Sequence, residues 1–199
     1  MQQLRSNTGN SIAEFAVVIS LMAILIGAGQ VRFSQSTERG KAKKSAETIN
    51  KLVMAANNFY LDKNIAEGIG RFPGQDKWNQ NVPSGGGYDS LDAAIAQIKS
   101  WTSYTNSNTP TWGQNWVSIF GKNNPKASIL GEHSLKIESD DTGSKIGSVE
   151  WADYIDVMKN PYQDGHYIYT VIGGNNHRRP TIIITDFYHP AEEYVVLQP

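Results

Sequence analysis

The sequence predicts an α+β protein, with a long N-terminal helix packed on a C-terminal antiparallel sheet. That helix reads as a membrane half followed by an amphipathic half. Three observations carry the prediction. From Phe15 to Gly29 the chain holds no charge, and Ser20 is its only hydroxyl. From Ala42 to Tyr60 apolar residues recur at steps of three and four, the period of one helical face. The last third of the chain carries β-branched and aromatic runs separated by Gly, Pro and Asn, which is the pattern of strands and turns.

The apolar stretch comes first. With Ile12 and Ala13 added, it approaches the ~20 residues that a helix needs to cross a bilayer. Glu14 interrupts it near its start. A carboxylate costs roughly 2.5–3.5 kcal/mol at mid-bilayer and less near the surface. Ser11-x-x-Glu14 has the form of a capping box, in which the hydroxyl and the carboxylate satisfy free amides of the first turn. Capping accounts for the Ser and the Glu. It leaves Gly9 and the polar leader MQQLRSNTG unexplained. A secretory signal places its small-residue cleavage site after the apolar segment; here the small residue precedes it.

The helix is expected to continue through the next stretch. Ala42, Ala46, Ile49, Val53, Ala56 and Tyr60 form a stripe, with Leu52 and Phe59 beside it and Lys41, Lys43, Lys44 and Lys51 mostly off it. The reading is one helix from about Asn10 to about Asp62. Gly27 and Gly29 lie within it, and each weakens a helix interior by about 1 kcal/mol, marking a place for a bend.

Ile65 to Tyr88 is rich in Gly, Asn and Pro and reads as loop. Asp89 or Ser90 is placed to cap a short helix whose stripe is Leu91, Ala94, Ile95 and Ile98. Strand candidates follow at Asn115–Phe120, Ser128–Leu130 with Ser134–Ile137, and Ser148–Trp151; Ala152–Lys159 has room for one or two helical turns. His166–Ile172 and Thr181–Phe187 are the strongest strands, joined by Gly173-Gly174-Asn175-Asn176 and a short basic patch. Glu193–Leu197 is the expected last strand, and no internal repeat is visible.

Composition narrows the function classes. The chain has 199 residues, a net charge of −1, no cysteine and 10% aromatic residues. Near-neutral charge gives no case for a nucleic-acid partner, and without cysteine the head must hold by packing rather than by disulfides. His133, His166, His177 and His189 are scattered, without zinc-ligand spacing. His189-Pro190-Ala191-Glu192 reads as a surface turn rather than a base and its partner. Gly173-Gly174 precedes a strand, whereas a phosphate loop opens a helix. Trp101, Trp112 and Trp116 read as core and subunit packing ahead of a sugar-stacking surface. The expectation is a protein that is not an enzyme and uses no cofactor.

Gly9 followed by Asn10-Ser11-Ile12-Ala13-Glu14-Phe15 and a long apolar helix resembles the class III leader of type IV pilins and type II secretion pseudopilins. The resemblance implies cleavage by a prepilin peptidase between Gly9 and Asn10, methylation of the new N-terminus at Asn10, and a role for Glu14 in filament assembly. The family usually begins its mature chain with Phe, where this chain has Asn10. Two segments of the head also resemble major pseudopilins. One is Asn58-Phe59-Tyr60 to Arg71-Phe72-Pro73, the other Asn160-Pro161-Tyr162-Gln163-Asp164-Gly165-His166-Tyr167-Ile168-Tyr169. Family members hold calcium in a late loop, and Asp140-Asp141-x-Gly143 is the nearest acidic turn here. Calcium takes about six to eight oxygen ligands, so an Asx turn is the preferred reading and no metal site is assigned.

The expected organisation is a leader over 1–9, a transmembrane or filament-core helix over 10–31, an amphipathic helix over 32–62 and an exported, pilin-like α+β head over 63–199. Arg32, Arg39, Lys41, Lys43 and Lys44 after the span, against Arg5 before it, favour a cytoplasmic head by the positive-inside rule; the leader pattern is more specific and implies export. The expected protein is a single-pass inner-membrane prepilin that becomes a periplasmic or extracellular filament. Its partners would be copies of itself, the prepilin peptidase, an inner-membrane assembly platform and the membrane before assembly. The competing class is a membrane-anchored extracytoplasmic binding or enzyme domain that uses the helix as a tether. A tether more often runs into a flexible linker, and none follows Val31.

Overall fold

The computed structural model describes residues 8–100, 115–120, 147–162, 167–187 and 189–199; within the first helix, side chains are described at 15–20, 22 and 35–67. The chain divides into two compact units, Met1–Lys41 and Ala42–Pro199. Helix α1, Thr8–Glu67, contributes to both. The described elements that follow are α2 (Leu91–Ser100), β1 (Val117–Ser118), α3 (Gly147–Tyr154), β2 (Tyr167–Ile172), β3 (Thr181–Asp186) and β4 (Tyr194–Leu197). The architecture is α+β, with a long helix and a four-stranded antiparallel sheet.

The sheet runs β1-β2-β3-β4 in chain order. Tyr169 pairs with Ile184 and, on its other side, with Val117; Ile183 pairs with Val196. Beyond β1, the loop after α1 supplies the next partner of β2. Val82 N donates to the Val171 carbonyl at 2.9 Å, and Val171 N returns to Val82 at 3.1 Å. Alternate side chains of a strand point to opposite faces, and here both faces are buried. Tyr167, Tyr169, Val171, Ile182 and Ile184 pack with Ile49, Leu52, Ala56 and Tyr60 of α1 and with Trp151 of α3. Ile168, Ile172 and Ile183 pack with Ala94 and Ile98 of α2 and with Trp116. A second covered face explains why β2 and β3 read as unbroken apolar runs rather than as alternation.

Several expectations are corrected. Helix α1 ends at Glu67, not near Asp62. Its last turns are held by polar contacts, Lys63 to Glu67 at 3.6 Å and Arg71 to Glu67 at 3.2 Å, which an apolar stripe does not reveal. Gly68, at φ +79°, ends it, with its amide donating to Asn64, the left-handed cap that glycine permits. The backbone stays helical through Gly27 and Gly29. On the stripe, Ala46 is exposed, whereas the polar Ser45 and Thr48 are buried.

Ser148–Trp151 is not a strand but the body of α3. Gly147 and the neighbours Trp151 and Ala152 are buried, with Val149 exposed, a helical rather than an alternating pattern. Glu150 is fixed from outside the segment, accepting from Arg71 Nη1 at 2.8 Å and from Gly74 N at 2.6 Å. The expected cap of α2 is present at Ser90, whose Oγ accepts from Ala93 N at 3.2 Å. The candidates at 128–130 and 134–137 lie outside the described residues.

Candidate functional site

The residues singled out for processing and assembly stand at the start of α1. Gly9, Asn10 and Glu14 are all on helical backbone, and the side chains of Asn10 and Glu14 lie outside the described residues. A few positions later the side chains are described. Phe15, Val17, Val18, Ile19 and Met22 are exposed, Phe15 at 66%, and Ala16 between them is exposed as well. At ~100° per residue these six positions are spread around the helix rather than along one stripe. Ser20, also exposed, closes its hydroxyl on the Ala16 carbonyl at 2.8 Å, the back-bond by which a helical Ser satisfies itself. Among the described residues no helix is long and apolar enough to cross a membrane; most side chains of 9–31 lie outside that set.

The calcium candidates Asp140 and Asp141 also lie outside the described residues. Among the described residues no three His, Asp or Glu side chains gather as a metal site. Trp101 and Trp112 lie outside as well. Trp116 is fully buried and donates from Nε1 to the Tyr88 hydroxyl at 2.7 Å, so it is core and presents no stacking surface. His189 opens a turn whose carbonyl accepts from the amides of Glu192 and Glu193, and its ring meets Tyr162 edge-on at 4.6 Å.

Two groupings emerge that sequence reading missed. The first is a buried polar cluster at the end of β3. Asp186 accepts from Ser45 Oγ of α1 at 2.6 Å and from Asn160 Nδ2 at 2.7 Å. Beside it, Glu193 accepts from the Tyr162 hydroxyl at 3.1 Å. Burial raises the Glu193 carboxyl above its ordinary value, against the lowering effect of Ser45 and Tyr162, and burial pushes the Tyr167 phenol up to about 12. These groups tie helix to sheet.

The second grouping is a cleft of about 320 Å³ lined by Tyr60 and Asn64 of α1, by Trp78, and by the turn between β2 and β3, including His177, Arg178 and Arg179. The turn is closed by paired bonds between Asn175 and Arg178, at 2.7 and 3.1 Å, and His177 N donates to Asn175 Oδ1 at 3.0 Å. The loop carrying Trp78 is organised by Gln75, which is buried. Its amide accepts from Phe72 N and donates to the carbonyls of Trp78 and Gln80. Gly173 and Gly174 let this loop lie directly on the turn, since a Cβ at Gly174 would meet the Trp78 ring at 2.5 Å. The one signal available in the sequence was the short basic patch after Asn176; its juxtaposition with Trp78 spans a hundred residues.

No protein-family model, curated protein or solved structure gives a significant match to this chain.

Proposed function

We propose that this chain is a structural subunit of a filament of the type IV pilus or type II secretion pseudopilus kind, cut after Gly9 and assembled through α1. The observation that carries the reading is the girdle of exposed apolar side chains at Phe15, Val17, Val18, Ile19 and Met22. A helix that is apolar on all sides is stable only when covered on all sides. A bilayer covers it before assembly, and the helices of neighbouring subunits cover it afterwards. The Gly9–Glu14 pattern, in register with that girdle, supports the same reading, as does an α+β head built on the second half of the same helix. The head is exported, and the inner membrane holds the subunit until the assembly platform adds it to the filament. A membrane-tethered binding domain is the alternative, and an uninterrupted helix from 8 to 67 in place of a linker weighs against it.

Processing provides the test. Intact-mass measurement or N-terminal sequencing of membrane-extracted protein is expected to find a chain that starts at Asn10 and keeps its apolar segment. A start after Ala28 or Gly29 would mean an ordinary secretory signal and end the filament reading.

A further inference from the structure

The cleft beside the β2–β3 turn gathers two cations. Arg178 and Arg179 are adjacent, and both are permanently charged. Among the described residues neither makes an ion pair with a carboxylate, and no acidic residue lines the cleft. Arg179 Nη1 donates to the Tyr60 hydroxyl at 2.8 Å, which holds the guanidinium at the cleft wall. Arg178 Nε is buried and has no hydrogen-bond partner among the described residues. A low-dielectric wall concentrates the field of such cations, and a guanidinium fork matches a planar oxyanion in two-point contact.

Beside the arginines, His177 and the apolar Ile69 and Pro180, the lining offers two kinds of group that suit a ring ligand. Trp78 supplies an indole, and Asn64, Asn175 and Asn176 supply amides that both donate and accept. An apolar ring face beside several amides suits a ligand that is itself a ring with hydroxyls around its edge. A volume of about 320 Å³ falls at the small end of the range for ligand clefts, ~300–1,000 Å³. A net charge of −1 gives no case for a polyanion backbone as the occupant.

We propose that this cleft binds an acidic sugar, its carboxylate held by Arg178 and Arg179 and its ring laid on Trp78. The site is independent of the filament reading, since processing at Gly9 and binding here succeed or fail separately.

Calorimetric titration of the detergent-extracted full chain tests it, with methyl glucuronide, methyl glucoside, acetate and adenosine monophosphate as probes. Methyl glucuronide is expected to bind saturably, roughly tenfold or more tighter than methyl glucoside or acetate. Arg178→Gln is expected to weaken glucuronide about tenfold with the thermal midpoint unchanged, because the buried Nε has no hydrogen-bond partner to lose among the described residues. If the midpoint does fall, Arg178→Lys must recover binding at least in part. Equal affinity for glucuronide and glucoside, tighter binding of the nucleotide, no binding of any probe, or an Arg178→Gln protein with wild-type affinity would each overturn the proposal.

Discussion

Ser45 Oγ donates to Asp186 Oδ2 at 2.6 Å, joining α1 to the end of β3 across 141 positions of the chain. Both residues are fully buried. A buried carboxylate is tolerated only where its oxygens are satisfied, and Asn160 supplies another of its donors. Ser45→Ala is expected to cost roughly 1–3 kcal/mol. In urea unfolding of the extracted full chain the midpoint should fall while the slope stays constant. An unchanged midpoint would mean that the contact contributes nothing net.

The neighbouring Glu193 predicts a pH dependence. Its carboxyl is raised chiefly by burial, with repulsion from Asp186 adding to it. An acid whose folded pKa exceeds its unfolded one binds its proton more tightly when folded. Its contribution is therefore present below the ordinary carboxylate value, about 4.3, and is lost as pH rises through the folded value. Glu193→Gln should flatten that decline and leave the protein more stable than wild type near neutrality. Melting temperatures measured from about pH 4 to pH 8 would show it; parallel curves for the two proteins would refute it.

Gly147 begins α3 directly under the Tyr169 hydroxyl, so that a Cβ there would collide with that oxygen. Gly74, at φ +86°, also closes on that hydroxyl, at 2.7 Å for its would-be Cβ. Gly147→Ala is expected to cost about 1–3 kcal/mol by overpacking, a fall of roughly 2–4 °C per kcal/mol for a chain of this size. Adding Tyr169→Phe removes the oxygen and should return most of the loss. Absence of that recovery would place the cost elsewhere.

Arg71 is the hub between the end of α1, the loop after it, and α3. Its Nη1 lies 2.8 Å from both Glu150 Oε1 and the Gln75 carbonyl, while Nε reaches Glu67 at 3.2 Å. Its side chain is 13% exposed and that of Glu150 24%. Glu150→Ala should therefore cost about 1–3 kcal/mol and hasten proteolysis in 68–90. Lys63→Ala breaks the 3.6 Å contact to Glu67 and the placement of Nζ over the Phe59 ring at 5.4 Å, both partly solvated, and should cost about 1 kcal/mol or less. Equal losses from the two substitutions would contradict this ranking.

Glu14 carries the assembly prediction. In a bundle of apolar helices a carboxylate must protonate or meet a cation, and the cleavage after Gly9 that we propose would create one, the α-amine of Asn10. Glu14→Ala is expected to leave insertion and processing intact and to reduce filament yield sharply. A capping role alone predicts a loss near 1 kcal/mol and normal filaments. Immunoblots of processed protein beside counts of sheared filaments separate the two.

The sequence alone determined the elements whose cause is local. The helical period from Ile49 to Tyr60, the cap at Ser90, the β2–β3 pair and the last strand all appear where their residues place them. Period, capping and β-branched runs act between neighbours a few positions apart, so the chain itself displays them. Tertiary structure decided the remainder. Residues 148–151 became helix because Glu150 answers Arg71, seventy-nine positions away, and Trp151 packs on Tyr169 at 5.4 Å. Ser45 joined the buried stripe because Asp186 receives it, and Arg179 came to the cleft because Tyr60 holds it across 119 positions. A polar residue inside an apolar stripe, or a cation in a turn, has no local cause. Its place depends on a partner that only the folded chain brings within reach.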